Sequence, residues 1–206
     1  MYRIDSQFEK ISKYADDEAV ILPSRSTAES AGYDFYAAED TVIPPYATLY
    51  QNMSMNSFDD DATNLLLSAF LGEERMQQEL KGKVYSMEEA ADLIKKSGAK
   101  ITLVPTGVKC KIPKGWFLQL SARSSTPLKH WLIVGNSVGV IDSDYYNNPD
   151  NEGHIYFQII NLSPVPIKIA KGEKFGQGIL MNYGVTSNDT ASEKRVGGFG
   201  STSGQK

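Results

Sequence analysis

Apolar and polar residues alternate over short stretches along much of the chain. Val108, Cys110 and Ile112 alternate with Lys109 and Lys111, and Trp116, Leu118, Leu120 and Ala122 keep the period of two that a half-buried strand requires. Segments 18–22, 33–37, 101–104, 131–134, 155–162 and 165–169 are also predicted strands, many of them bounded by Pro or Gly. Short strands closely spaced by turn signals predict a sandwich or barrel, not a parallel sheet.

Residues 52–98 break this period. Ser86 and Glu89 form a capping box, Met87, Ala90, Ala91 and Ile94 follow helical spacing, and Gly98 stands where a helix would stop. Upstream, Ala62, Leu66, Ala69, Met76 and Leu80 fit one helical face, with Gly72 as a point where it could divide. A length of 206 residues suits one large domain or one domain with an insertion.

Charge sharpens that division. The whole chain carries 25 acids against 21 bases, a net charge of -4. Residues 51–100 hold nine of those acids and six bases, hence -3. No broad cationic field is left to attract duplex nucleic acid or anionic lipid, although a small anionic ligand fits. The start, MYRIDSQFEK, lacks a signal-peptide core and no run approaches a membrane span, so a cytoplasmic location is expected, in a bacterium or a phage-infected host. A single cysteine, Cys110, excludes an internal disulfide framework and a Cys-rich zinc site. His130 and His154 are expected to be surface or hydrogen-bonded histidines, and any metal is expected to arrive with a substrate.

Four local features suit chemistry. Arg123, Ser124 and Ser125 follow a strand and place a cation beside two hydroxyls, as phosphate oxygens need and as an ordinary polar turn also would. Asp142 and Asp144 close an apolar strand; at a spacing of two both face one side, as a general base or as turn caps. Asp34 sits beside Gly32 at a strand start, where turn chemistry is the ordinary reading. The tail from Arg195, RVGGFGSTSGQK, is too poor in apolar residues to order itself, yet Arg195 and Phe199 could fold over a ligand. Neither a dinucleotide-binding glycine motif nor a P-loop occurs.

In order, these features resemble the five motifs of the trimeric dUTP pyrophosphatases: AGYDFYA at 31–37, ARSS at 122–125, GNSVGVIDSDY at 135–145, KGEKFGQGI at 171–179 and RVGGFGSTS at 195–203. LVPTGV at 103–108 is a further family-like segment. The resemblance implies a mainly β, jelly-roll-like fold and a homotrimer whose three active sites are shared between subunits, with Gly-rich arms crossing to a neighbouring site. It implies hydrolysis of dUTP to dUMP and pyrophosphate, with Mg2+ on the triphosphate. Asp142 would activate the attacking water, and Asp34 would hold the metal through water. Arg123, Ser124, Ser125 and Gln177 would hold phosphate oxygens. Asn136 and the backbone around Gly139 would read uracil, and Tyr145 would pack under the deoxyribose. Phe199 would stack on the base, while Arg195, Gly200, Ser201 and Thr202 would close over the γ-phosphate.

Lys174 stands where the fourth motif commonly has Arg and is not counted among the site residues. The long segment YNNPDNEGHIY after Tyr145 resembles dUTPases of Gram-positive bacteria and their phages. The domain division expected is 1–51 with 99–185 as a discontinuous β-domain, 52–98 as a helical insertion and 186–206 as a flexible C-terminal arm. The insertion is either a structural decoration or a surface for a regulatory protein partner. Two alternatives stand beside hydrolysis: a dCTP deaminase-like enzyme, which the TPLK after Ser125 disfavours, and a regulatory protein-binding trimer.

Overall fold

The computed structural model describes residues 3–45, 101–163, 165–193 and 195–198. The helices expected in 52–98 therefore lie outside the described residues, as do Phe199, Gly200, Ser201 and Thr202. Twelve strands are present among the described residues. In chain order they are β1 Gln7–Lys10, β2 Ser24–Arg25, β3 Tyr33–Tyr36, β4 Thr41–Ile43, β5 Thr102–Pro105 and β6 Val108–Lys111, then β7 Trp116–Ala122, β8 Leu132–Val134, β9 Gly139–Asp142, β10 Tyr156–Asn161, β11 Ile167–Ile169 and β12 Lys174–Asn182. One short helix, α1 Ser125–His130, follows β7.

The ladders are antiparallel: β1 on β6, β4 on β11, β5–β10–β8, and a five-stranded sheet ordered β2–β3–β12–β7–β9. Alternation explains β7, where Leu118 and Leu120 are buried while Phe117, Gln119 and Ser121 keep partial exposure. Phe157 packs against Phe35 and Phe175 at ring-centroid distances of 5.4 and 5.0 Å. Room for these rings comes from β12: a Cβ on Gly176 would fall 2.4 Å from Phe157, and one on Gly178 would fall 2.8 Å from Phe35. Asn161 is buried on β10 yet satisfied, donating to the Ile43 and Val165 carbonyls and accepting from the Ser163 N–H.

Three sequence expectations are corrected. Residues 18–22 are not a strand, because the Asp17 carboxylate takes the Ala19 N–H and the Asp17 carbonyl takes the Val20 N–H, which makes a turn. The strand expected from 131 begins at Leu132, since Trp131 caps α1 in the left-handed conformation with φ 54°. The nine-residue β12 was not anticipated as a strand at all.

Candidate functional site

The described candidate residues form two clusters on either side of β7, with Asp142 and Arg123 at opposite ends of that strand. The first gathers around Asp34, which β3 places opposite Gln177 of β12. Arg123 Nε donates to Asp34 Oδ1 at 2.9 Å, Lys174 Nζ to Oδ2 at 3.0 Å, and Ser26 Oγ to Oδ2 at 2.6 Å. Burial alone would raise the Asp34 pKa, but the hydrogen bonds from Ser26, Lys174 and Arg123 outweigh it and hold the carboxyl below its usual range. Gln177 Nε2 donates to the Ala122 carbonyl at 3.2 Å. Thr126 Oγ1 donates to the Phe175 carbonyl at 2.9 Å, fastening α1 to β12 and fixing the path of Arg123, Ser124 and Ser125. Ser124 is exposed and does not spend its hydroxyl as a helix cap. Only Nε of Arg123 is engaged among the described residues, so its terminal nitrogens face no protein acceptor there.

Ser26 and Lys174 belong to this cluster although neither was singled out as a site residue. Lys174 was visible only as a substitution inside the fourth motif. Ser26 left no signal, since it lies outside every motif.

The second cluster surrounds a pocket of about 170 Å³ lined by Asn136, Gly139, Asp142, Tyr145, Tyr156 and Arg195, among others. Its size admits a six-membered ring, since a cavity near 150 Å³ takes benzene. Asn136 sits in the turn between β8 and β9, where its carbonyl accepts the Val138 N–H. Asp142 ends β9, and Ser143–Tyr145 continue as a 3-10 turn, so Asp142 and Asp144 do not share one extended strand. Both nevertheless grip Arg195, whose terminal nitrogen bonds Asp142 Oδ2 and whose Nε reaches Asp144 Oδ1 at 2.8 Å. Asp144 therefore does more than shape the turn. Burial raises the Asp142 pKa and Asp144 adds to the rise, against the opposing charge of Arg195.

The Arg195 guanidinium lies 5.7 Å from the Tyr145 ring centroid, and a Cβ on Gly198 would fall 2.9 Å from that ring. Residues 195–198, expected in the flexible arm, thus lie against Tyr145 of their own chain. Glycine at 198 is what permits this approach.

The two clusters do not meet within the chain. Asp142 pairs with Phe117 on β7, while Arg123 follows Ala122. Five residue steps of strand lead from Phe117 to Ala122, roughly 17 Å at strand rise. A general base works through one water at hydrogen-bonding distance, and a separation of that size is long for one triphosphate to bridge from Asp142 to Arg123.

His154 is buried, and its Nε2 accepts the Gly107 N–H at 2.9 Å. Burial pushes its pKa down from 6.5 to about 4, with Lys13 adding to the fall and Glu39 and Glu152 opposing it. The unfolded chain would then bind a proton below pH 6.5 that the folded chain refuses. Stability should fall as pH drops from 6.5 toward 4, by at most about 3 kcal/mol. Urea midpoints across this range check it, and a profile as steep in His154→Gln as in the parent would reject His154 as the source. No group of three or more His, Cys, Asp or Glu residues positioned for a metal occurs among the described residues. Mg2+ carried by substrate phosphates typically takes only one or two protein carboxylates, and because Arg123, Lys174 and Ser26 occupy both Asp34 oxygens, a contact from Asp34 would run through water.

The dUTPase family model matches residues 84–203. A deoxyuridine 5'-triphosphate nucleotidohydrolase of Lactococcus lactis subsp. lactis is 47% identical over 197 residues, covering 95% of both chains. A crystal structure of dUTPase from Streptococcus mutans is 34% identical and aligns with a TM-score of 0.59 over 88% of this chain and 98% of that one. The dUTPase of phage phi11 of S. aureus shares the fold at 16% identity, with a TM-score of 0.55 over 92% and 97% of the two chains. With a family match over more than half its length and a relative alike from end to end, this chain belongs to the dUTPase family.

Proposed function

We propose that this chain hydrolyses dUTP to dUMP and pyrophosphate in a homotrimer whose active sites draw residues from more than one copy, limiting uracil incorporation into DNA. One observation carries the shared-site reading: Asp142 pairs at the Phe117 end of β7 while Arg123 follows its Ala122 end, the separation expected if a neighbouring copy brings one to the other. The outer face of the five-stranded sheet fits such a neighbour, because Val140 and Met181 are exposed there beside Phe117 and Ile179.

In this reading Asp142 takes a proton from water as its oxygen attacks the α-phosphorus. The bond from that phosphorus to the bridging oxygen breaks, and pyrophosphate leaves. Arg123, Ser124, Ser125 and Gln177 hold phosphate oxygens, so positioning and charge stabilisation carry most of the rate. Mg2+ bound to the substrate would supply charge neutralisation on the phosphates. Asp34 would hold it through water, with Arg123 and Lys174 keeping that carboxylate ionised.

The turn at Asn136 and the backbone near Gly139 face the base, and the Tyr145 ring lies under the sugar, where a ribose hydroxyl would collide. Arg195 exchanges its two carboxylates for the γ-phosphate as the tail closes. Phe199 then covers the base, an interaction worth about 1–3 kcal/mol in nucleic-acid complexes, with Gly200 and Ser201 at the γ-phosphate. A regulatory protein binding residues 52–98 is a second role compatible with this reading.

Pyrophosphate release measured with dUTP, UTP, dTTP and dCTP tests the substrate. Release from dUTP alone is expected. Turnover of dCTP with release of ammonia at a matching rate would overturn the reading in favour of a deaminase.

A further inference from the structure

We infer that Asn151, braced by Asn148, is a positioning residue that holds the Tyr145 ring at one height in the pocket and so sets the preference for deoxyribose over ribose. The inference rests on the proposed placement of Tyr145 under the sugar.

Its basis is a hydrogen-bond network whose polarity has one solution. Asn151 Oδ1 accepts the Gly153 N–H at 3.1 Å and Asn148 Nδ2 at 2.8 Å. A backbone N–H can only donate, so the Asn151 amide cannot be flipped, and its nitrogen must point at Tyr145. Nδ2 donates to the Tyr145 hydroxyl oxygen at 2.8 Å. The hydroxyl proton then goes to the His154 carbonyl at 3.0 Å, a group that can only accept. The phenol is thus fixed from two directions. Asn148 fixes the other end of the residue, with Nδ2 donating to the Tyr145 carbonyl at 2.8 Å. Its Oδ1 accepts the N–H groups of Asp150 and Asn151.

Burial gives this network its leverage. Asn148, Tyr145 and His154 are buried and Asn151 is half-buried, so the Tyr145 hydroxyl cannot exchange its partners for bulk water at low cost. The ring so fixed lines the pocket together with Asp142. A tilt of the phenol would open space at the sugar while leaving Arg123, Ser124, Ser125 and Gln177 in place, and only Arg195, which lies over the ring, would shift with it. The network is therefore read through discrimination, in which an effect on the γ-phosphate common to both nucleotides cancels.

The test is a double-mutant cycle read as the ratio of kcat/KM for dUTP to that for UTP. Asn151→Ala should lower the ratio about fivefold, the size of one half-buried hydrogen bond. The same substitution in a Tyr145→Phe background should change it less than about twofold, because the hydroxyl it acts on is gone. Equal losses in both backgrounds would show a general loop defect and overturn the inference, as would an unchanged ratio in folded Asn151→Ala. Should that variant fail to fold, Tyr145→Phe decides alone: a ratio equal to the parent's sinks the role of the hydroxyl clamp. A parent chain that releases no pyrophosphate from dUTP would instead defeat the proposed reaction. A parent that hydrolyses dUTP and refuses UTP, with variants that do the same, defeats only the role given to Asn151.

Discussion

Replacing Asp142 by Asn should lower kcat for dUTP by about 10²–10⁴-fold, the usual contribution of a general base. Binding of a non-hydrolysable dUTP analogue should stay close to that of the parent. The amide keeps the shape of the group but cannot take a proton, and Asp142 lies at the pocket wall where an attacking water would be held. The pH profile adds a second readout. A base must be ionised to work, and burial has raised the Asp142 pKa, so the acid limb of kcat/KM should sit above the ordinary aspartate range. Arg195 opposes that rise, hence Arg195→Ala should move the limb to still higher pH. Near-parental turnover in Asp142→Asn would remove this residue as the base.

Two inactive variants should restore each other when co-expressed. Asp142→Asn damages one cluster and Arg123→Ala the other, and the clusters lie roughly 17 Å apart along β7 of a single chain. If each site takes Asp142 from one copy and Arg123 from its neighbour, random mixing leaves roughly a quarter of the sites with both residues intact. Activity near that fraction of the parent is expected from co-expressed chains, against almost none from either variant alone. No recovery in trimers shown by mass to be mixed would place the whole site within one chain and defeat the shared arrangement.

Much of this was legible in the sequence because the motifs are local. The stretch around Asp142 and Tyr145 announces itself, as does the pair Arg123 and Ser124, and the alternation in β7 and β10 predicts strands that are present. What escaped depends on distant partners. The length of β12 was hidden because Gly176 and Gly178 depress strand propensity, and their use becomes visible only with the rings of Phe35 and Phe157 against them. Ser26 and Lys174 joined the Asp34 cluster through sheet register, with Ser24 opposite Asp34 and Lys174 opposite Tyr36. The error at residues 18–22 has the opposite cause. Their apolar content suggested a strand, but one aspartate at 17 captured the backbone donors that a strand would need.

The close fit at β12 also limits where this protein can change. Gln177 is held between two positions that admit no side chain without displacing a core aromatic. A mutation at either flank would disturb the packing of the domain together with Gln177, the residue proposed to hold phosphate, so selection would see both losses at once. The turn at 136–138 is freer, since Asn136 borders the pocket and Asn136, Ser137 and Val138 are all exposed. Divergence in nucleotide preference should accumulate in that turn, while the strand carrying Gln177 stays the same from one descendant to the next.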